Sequence, residues 1–305
     1  MTLAAATCQF PVCADIESNR RSISDLLRLA KSRGADVAHF PEASLSGYAG
    51  VDFDSFEAFD WSALAQATRA IMALARELRI WAIVGSAHAL SRPNRPHNCC
   101  YIISDEGRIV DRYDKRFCAG DSGGASGDLR HYSPGGHFSI FEIKGLRCGA
   151  LICHDYRYPE LYREHLRRGV RLMFHAFHAA GITPDRCAAM QDDVGPANRY
   201  FGAASTLPAI TMPAGMIASA SNNHMWISCP NSSAQMNCWP SFFVRPDGVI
   251  TGALEPDETG VLVSSVDTQA QFYDSTAPWR GRAIDGQYHS GVLVEDARSQ
   301  RRTEL

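Results

Sequence analysis

Hydrophobic and polar positions alternate in short blocks along the chain, and their spacing predicts helices and strands. Between Asp15 and Gly34 the hydrophobic residues recur three or four positions apart, which is the spacing of one face of an α-helix. The same spacing predicts a second helix over 64–78. Short hydrophobic runs without it predict buried strands at 3–8, 36–40, 80–84, 100–104, 109–113, 138–143, 146–152, 171–177, 224–229, 241–244, 249–254 and 260–266.

The order of these elements predicts an α/β fold. Helices and strands alternate in the first part of the chain, and hairpins follow in the second part. Segment 183–221 is interrupted by prolines and predicts two helical pieces with loops. Because no linker rich in Pro, Gly or Ser divides the chain, we expect a single domain of stacked layers, with sheets inside and helices outside.

The composition narrows the range of partners. The chain has 305 residues, 21% of them charged, and a net charge of −3, which argues against nucleic acid or a membrane surface as the main partner. The first ten residues lack the pattern of a signal peptide, and no hydrophobic run is long enough to cross a bilayer. We therefore expect a cytoplasmic protein whose ten cysteines are reduced thiols.

The strongest local signal is the junction after the hydrophobic run at 146–152. Cys153 directly follows that run, and Pro159 and Glu160 then supply the residues typical of a helix start. A strand-to-helix turn exposes a side chain and the next N–H group, which is where a nucleophile is placed in several enzymes. On position alone, the alternative of a small core cysteine stays open.

Two other predicted strands end in a reactive side chain. Glu42 follows the strand at 36–40, and Lys115 follows the hairpin strand at 109–113. Taken alone, Glu42 is equally well explained as a loop acid and Lys115 as a surface lysine. A free cysteine, however, is only a few per cent thiolate at neutral pH and needs a base or a nearby cation to react. Together the three residues form a possible catalytic set.

With their flanking residues, these positions resemble the three signatures of the nitrilase (carbon–nitrogen hydrolase) superfamily. The matching segments, in the order expected of the family, are 40–48, 113–116 and 153–160. The resemblance extends from about Leu3 to Val266 and points to the amidase-like branch. It implies a four-layer αββα sandwich with a Glu–Lys–Cys site that uses no cofactor and no metal.

The resemblance also implies a domain organisation and an assembly. The carbon–nitrogen hydrolase domain would span 1–270. Residues 271–305 would form a C-terminal extension that packs on the domain or on a partner subunit. Single-sandwich members of the family self-associate, so a homodimer or a higher homo-oligomer is expected.

The chemistry of the three residues agrees with the roles that the family implies. Glu42 would take the thiol proton as Cys153 attacks an amide carbonyl, hand it to the leaving amine, and then activate the water that hydrolyses the thioester. The Lys115 ammonium and the backbone N–H of His154 would donate hydrogen bonds to the oxyanion. The expected partners are a small-molecule amide and water.

Four further positions are candidates with open alternatives. Where the resemblance leads us to expect a second glutamate, this chain has Asp128, which either supports Lys115 or is an exposed loop acid. Tyr48, Arg157 and His178 are candidate substrate-binding residues. The alternative for Arg157 is a brace of the strand–helix junction, and for His178 a polar loop histidine.

The residues that follow Cys153 favour amide over nitrile chemistry. Nitrile-cleaving members of the family tend to carry Trp and Glu where this chain has His154 and Asp155. We expect an amidase acting on linear amides, with an N-carbamoyl amino acid hydrolase or a nitrilase as alternatives. A catalytically silent binding protein of the same fold is a further alternative.

Two other features of the sequence concern a possible metal site and an unusually long segment. The pair His175 and His178 does not predict a metal site, because strand residues at that spacing face opposite sides and no Cys-x-x-Cys pair accompanies them. Segment 178–222 is longer than the resemblance leads us to expect, which makes it a candidate for part of a lid or a subunit contact.

Overall fold

The computed structural model describes residues 2–194 and 206–303, which form two six-stranded β-sheets flanked by helices. The strands are β1 (Thr2–Gln9), β2 (Val37–His39), β3 (Trp81–His88), β4 (His97–Ile103), β5 (Ile109–Asp114), β6 (Ile140–Ile143), β7 (Leu146–Ile152), β8 (Leu172–Ala176), β9 (Trp226–Cys229), β10 (Phe242–Val244), β11 (Ile250–Ala253) and β12 (Gly260–Asp267). The α-helices are α1 (Ile16–Ser32), α2 (Trp61–Leu78), α3 (Pro159–Arg167), α4 (Pro184–Val194), α5 (Leu207–Asn223), α6 (Arg280–Ile284) and α7 (Ala297–Gln300).

The two sheets repeat one strand arrangement. The first has the order β12-β1-β2-β3-β4-β5 and the second β11-β10-β9-β8-β7-β6. Strands β1, β2 and β3 are parallel, and two antiparallel pairings lead from β3 to β5, so β5 runs in the same direction as β2. Strands β7, β8 and β9 are likewise parallel. The residues that follow β2 and β5 therefore leave the first sheet at the same edge.

Hydrophobic side chains fill three interfaces. Ile23 of α1 and Ile71 of α2 are completely buried against the outer face of the first sheet. Tyr162 of α3 and Met216 of α5 are buried against the second sheet, in a cluster that also contains side chains from between the two sheets, such as Val37. This arrangement confirms the expected four-layer αββα sandwich with a single domain.

Strand boundaries differ from the sequence prediction where the end of a strand is determined by backbone pairing rather than by hydrophobicity. Strand β3 continues four residues beyond the predicted end at Val84, because Gly85 to His88 pair with β4. The two predicted helical pieces of 183–221 are α4 and α5. Part of the predicted lid or subunit contact, 195–205, lies outside the described residues.

The segment between β2 and α2 contains a cluster of aromatic rings that the hydrophobic pattern did not predict as an element. Phe53, Phe56, Phe59 and Trp61 contact one another with ring centroids 4.8–5.3 Å apart. Phe56 also contacts Tyr132, 5.4 Å away. The cluster thereby joins this segment to the loop that follows β5.

Beyond β12 the chain first packs on the domain and then becomes exposed. The ring of Phe272 contacts Trp226 of β9, with centroids 6.0 Å apart. Further on, Tyr288 and Val292 are 87% and 92% exposed. Across the described ranges, no helix combines the length and the hydrophobicity needed to cross a membrane.

Candidate active site

Glu42 lies in a tight loop after β2, and its carboxylate is completely buried. The next residue, Ala43, has a positive φ of 54°, and the N–H of Glu42 donates to the carbonyl of Phe177, which directly follows β8 of the second sheet. The loop packs directly on Gly85 of β3, where a Cβ atom would lie 2.1 Å from the carbonyl oxygen of Pro41. Glycine is therefore required at position 85 for the loop to hold Glu42 in this place.

Lys115 extends from the end of β5 into the same buried region. Its Nζ atom lies 2.8 Å from Oε1 of Glu42, 2.7 Å from Oδ2 of Asp128 and 3.3 Å from the hydroxyl of Tyr48. Burial by itself lowers the pKa of a lysine, but Glu42, Tyr48 and Asp128 outweigh it and raise the pKa of Lys115 well above its ordinary value. The amine is therefore held as an ammonium.

Asp128 is buried beside Lys115. It begins a short 3-10 helix, Asp128–Arg130, and its Oδ2 atom accepts from the backbone N–H of Ala119 at 2.9 Å, while Oδ1 accepts from the hydroxyl of Tyr48. Burial opposes ionisation, yet Lys115 and these hydrogen bonds lower the pKa of Asp128 below its ordinary value. Lys115 therefore sits between two carboxylates.

Asn98 of β4 contacts the same cluster and was not predicted from the sequence. Its side-chain Nδ2 atom donates to Oε1 of Glu42 at 2.8 Å. Its backbone carbonyl accepts from the backbone N–H of Lys115 at 2.9 Å. Oε1 of Glu42 thus accepts two hydrogen bonds, while Oε2 is buried with no partner within the described ranges. One carboxylate oxygen is fixed and the other is available to take a proton.

Cys153 directly follows β7 and begins a 3-10 helix, Cys153–Arg157. Its φ of +42° is unusual for a residue other than glycine and costs about 1–3 kcal/mol, so the surrounding contacts must hold it. The side chain is half-buried. The N–H of His154 lies in the first turn of this helix, where backbone donors have no partner within the helix.

His175 of β8 contacts the backbone of Cys153. Its Nε2 atom lies 3.1 Å from the carbonyl oxygen of Cys153, and because that oxygen can only accept, Nε2 carries the proton. Burial lowers the pKa of His175 to about 3, so the ring is neutral and Nδ1 accepts from the hydroxyl of Tyr162 at 2.6 Å. This chain of two hydrogen bonds supports the positive φ of Cys153.

The Cys153 thiol is protonated in the resting protein. Burial raises the pKa of Cys153 well above its ordinary value, the charge on Glu42 raises it further, and Lys115 partly offsets both. A nucleophilic attack by this sulfur would therefore require removal of its proton. The arrangement calls for a base next to the sulfur rather than a preformed thiolate.

Asp155 connects the two sheets beneath Cys153. Its Oδ2 atom accepts from the N–H of Ile152 at 3.0 Å and from the hydroxyl of Tyr113 at 2.8 Å, and Oδ1 accepts from the N–H of Phe117 at 2.9 Å. Burial raises the pKa of Asp155 to about 6 against the effect of these hydrogen bonds. The carboxyl thus ties the end of β7 to β5 and to the segment after Lys115.

Two of the three candidate substrate-binding residues, Tyr48 and His178, lie together, and the third, Arg157, lies elsewhere. Tyr48 belongs to the buried cluster, and His178 contacts its ring with centroids 5.4 Å apart. Nε2 of His178 lies 3.2 Å from Oδ2 of Asp52, which raises the pKa of His178 although burial lowers it. Arg157 is exposed, and its guanidinium contacts Thr211 of α5 at 3.1 Å, away from the cluster.

His175 and His178, the pair from which the sequence did not predict a metal site, contact different residues. His175 contacts Cys153, and His178 contacts Asp52. In the part of the chain that the structure describes, no three or more His, Cys, Asp or Glu side chains are grouped so that they could hold a metal ion.

The sequence as a whole matches a known protein family. Residues 4–273 match the family model described as carbon–nitrogen hydrolase. The chain belongs to the carbon–nitrogen hydrolase family. This confirms the family predicted from the three signatures.

Individual proteins show weaker similarity to this chain. The chain is 28% identical over 146 residues to a 2-oxoglutaramate amidase of Bacillus subtilis, a match that covers 47% of this chain and 52% of that protein. It therefore spans about half the length of that relative. An amidase from Nesterenkonia has the same fold, with a TM-score of 0.68 and 19% identity over 94% of this chain and 96% of that one.

Another structure of a Nesterenkonia amidase shows the acetamide moiety of fluoroacetamide added covalently at the active-site cysteine of that enzyme. Its TM-score is 0.66 at 20% identity, over 87% of this chain and 90% of that one. At this identity the likeness shows the fold alone.

His175 provides a test of how the Cys153 backbone is held. We expect His175→Leu to lower kcat about tenfold with little change in KM, because the carbonyl of Cys153 loses its donor and the strained turn relaxes. His175→Gln, which keeps an N–H donor on a side chain of similar length, should recover part of the loss. Steady-state kinetics and the rate of iodoacetamide alkylation of Cys153 measure the effect.

A purely structural role for His175 would lower the melting temperature of both variants to the same extent and leave the alkylation rate of the folded protein unchanged. That result would contradict the positioning role.

Proposed function

We propose that this protein hydrolyses the C–N bond of a small linear amide through a thioester on Cys153. In this proposal Glu42 is the general base and acid, and Lys115 stabilises the oxyanion. The observation that carries it is the state of Glu42: Lys115 and Asn98 hold Oε1, and Oε2 is buried without a partner among the described residues. The carboxylate is also near enough to Cys153 to raise the pKa of its thiol.

The first half-reaction forms the thioester. Sγ of Cys153 bonds to the carbonyl carbon while its proton passes to Oε2 of Glu42, and the carbonyl oxygen becomes an oxyanion. Lys115 and the N–H of His154 donate hydrogen bonds to this oxyanion. The C–N bond then breaks as Glu42 returns the proton to the leaving nitrogen, which departs as ammonia or an amine.

The second half-reaction regenerates the enzyme with the same residues. Glu42 removes a proton from a water molecule as the water oxygen attacks the thioester carbon. When the C–S bond breaks, the proton returns to sulfur, and the acid product leaves. In this proposal Asp128 holds the Lys115 ammonium in place through both steps, because it contacts Nζ at 2.7 Å and not the reacting atoms.

The contacts of Arg157 favour an uncharged amide over an N-carbamoyl amino acid. A substrate carboxylate needs a cationic partner, and Arg157 instead contacts Thr211 and stacks over the ring of Tyr156 at 4.7 Å. Tyr48 and His178 remain the proposed substrate-binding residues. The similarity to the 2-oxoglutaramate amidase of Bacillus subtilis is consistent with hydrolysis of an amide.

The experiment combines turnover with covalent trapping. We expect ammonia release from propionamide, and little from N-carbamoylglycine or benzonitrile. Incubation with fluoroacetamide, the reagent seen on the Nesterenkonia amidase, should add one acetamide group on the peptide that contains Cys153. Absence of turnover with all three compounds together with absence of the adduct would favour the catalytically silent binding protein.

We further propose that the protein is a cytoplasmic homo-oligomer in which the extension 271–305 contacts a partner subunit. All ten cysteines, each within the described residues, are free thiols, as a reducing compartment requires. The exposed side chains of Tyr288 and Val292 supply hydrophobic surface for a partner. Light scattering should give at least twice the monomer mass of 33.4 kDa, and truncation after residue 286 should reduce it; a monomer would contradict this proposal.

A further inference from the structure

The carboxylate of Asp155 joins two segments that lie far apart along the chain. On one side, its Oδ2 atom accepts from the N–H of Ile152 at 3.0 Å, and Ile152 directly precedes Cys153. On the other side, Oδ2 accepts from the hydroxyl of Tyr113 at 2.8 Å, and Oδ1 accepts from the N–H of Phe117 at 2.9 Å. Both carboxylate oxygens are therefore fixed by hydrogen bonds.

Lys115 lies at the centre of the second segment that Asp155 holds. Tyr113 precedes Lys115 by two residues, and Phe117 follows it by two. The three groups that contact the carboxylate are all donors, and an ionised carboxylate only accepts. Asp155 is completely buried, and its protonated form would place an O–H group among these donors, so at least one contact would be lost or reversed. The full set of contacts therefore requires the ionised form.

We propose that the ionised Asp155 carboxylate is a positioning residue, which sets the distance between the Cys153 turn and the ammonium of Lys115. The inference rests on the proposed function, since it assumes that Cys153 attacks the amide and that Lys115 stabilises the oxyanion. Asp155 acts through the backbone and through Tyr113 rather than on the substrate. Such support matters because a displacement of about 1 Å between reacting groups can lower a rate about a hundredfold.

Mild acid should weaken this support. Burial raises the pKa of Asp155 to about 6, although the donors in contact with the carboxylate and the charge of Lys115 limit the rise. The ionised form, and with it the full set of contacts, is present above this pKa and is lost as the pH falls through it. We therefore expect kcat to fall in acid with a midpoint near pH 6.

This loss of kcat should not come from unfolding caused by Asp155. The pKa of Asp155 in the folded protein lies above the ordinary value of an aspartate, so the folded protein binds this proton more tightly than the unfolded chain does. The group therefore stabilises the fold below the ordinary pKa, and that contribution is lost as the pH rises through about 6. Protonation of Asp155 thus weakens the positioning while it favours the fold.

The titratable neighbours of Asp155 keep their charge around this pH. Burial raises the pKa of the four neutral neighbours, which are Tyr113 of β5, Cys100 of β4, Tyr162 of α3 and Cys118 after β5. Lys115 stays an ammonium. Glu42 also has to be ionised to act as a base, so a kinetic midpoint alone does not identify Asp155. The ionisation of Asp155 therefore has to be measured directly.

Carbon-13 NMR of the full-length protein, labelled at the aspartate carboxyl carbon, gives this measurement without turnover. The signal of Asp155 is the one that is absent from Asp155→Asn and should titrate near pH 6. In Tyr113→Phe its midpoint should rise by at least about half a pH unit, because the carboxylate loses a donor. Tyr101→Phe removes a half-buried hydroxyl that contacts His88 instead and should leave the midpoint unchanged.

Steady-state kinetics with propionamide then tests the positioning role. The midpoint of kcat should match the NMR midpoint, with little change in KM, and should rise with it in Tyr113→Phe but not in Tyr101→Phe. Asp155→Asn should lower kcat about tenfold to a hundredfold, because its NH₂ group cannot accept from one of the donors, and should remove the midpoint near pH 6. If Asp155→Asn does not fold, the signal is assigned by its shift in Tyr113→Phe, and the two tyrosine variants complete the test.

The possible failures are distinguishable. An Asp155 signal that does not titrate near pH 6, or a kcat midpoint that stays in place when Tyr113→Phe moves the NMR midpoint, would overturn this inference and leave the proposed function standing. In the second case Asp155 would have a structural role only. Absence of turnover with any amide would overturn the proposed function and the positioning role together, whatever the NMR titration shows.

Discussion

Replacing Cys153 with alanine is expected to lower the rate of amide hydrolysis by about 10⁴-fold or more, because no thioester forms without the sulfur. The fold should remain intact, since the side chain is half-buried and small. Ammonia release and circular dichroism measure the two effects. In the same variant, fluoroacetamide should no longer add to the peptide that contains position 153.

Cys118 provides the matched control for that substitution. It is half-buried, and its pKa is raised to about 12 by burial and by the nearby charge of Asp128, so it lies close to the cluster without being activated. Cys118→Ala should retain most of the wild-type activity. Loss of turnover in Cys118→Ala with retention in Cys153→Ala would mean that the nucleophile is wrongly assigned.

The principal site residues could be proposed from the sequence because each lies within two residues of the end of a predicted strand. Glu42, Lys115 and Cys153 follow the ends of β2, β5 and β7, and the family signatures surround all three. Strand direction then explains why they meet: β5 runs in the same direction as β2, so Glu42 and Lys115 leave the first sheet at one edge.

The residues that support this cluster could not be predicted, since their contacts depend on cross-strand register. Asn98 reaches Glu42 because β4 pairs with both β3 and β5, and its position within a hairpin strand gives no sign of this. His175 reads as an ordinary buried strand residue until β8 pairs with β7 and brings its ring to the carbonyl of Cys153. Register is set by the packing of whole sheets, which a single sequence does not show.

The steric role of Gly85 also could not be predicted from the sequence. The predicted strand ended at Val84, one residue before Gly85. In the structure β3 continues through it, and the absence of a Cβ atom lets the loop of Glu42 lie directly on the strand. The requirement for glycine arises from a contact between segments about forty residues apart, not from local backbone preference.

Replacing Lys115 with methionine is expected to lower both stability and activity. Glu42 and Asp128 would lose the cation between them, and breaking a buried ion pair in this way costs about 3–5 kcal/mol of the free energy of unfolding. If Lys115 is an oxyanion donor, kcat should also fall by about 10²–10³-fold. Urea unfolding and ammonia release from propionamide measure the two effects.

A double substitution separates these two roles of Lys115. Asp128→Asn in the Lys115→Met background removes one uncompensated carboxylate while Glu42 and Cys153 stay in place. The free energy of unfolding should partly recover, because only one buried carboxylate then lacks a cation. Activity should stay as low as in the single variant, because the oxyanion still lacks its ammonium donor. Recovery of near-normal turnover in the double variant would show that Lys115 only neutralises its neighbours and does not act on the substrate.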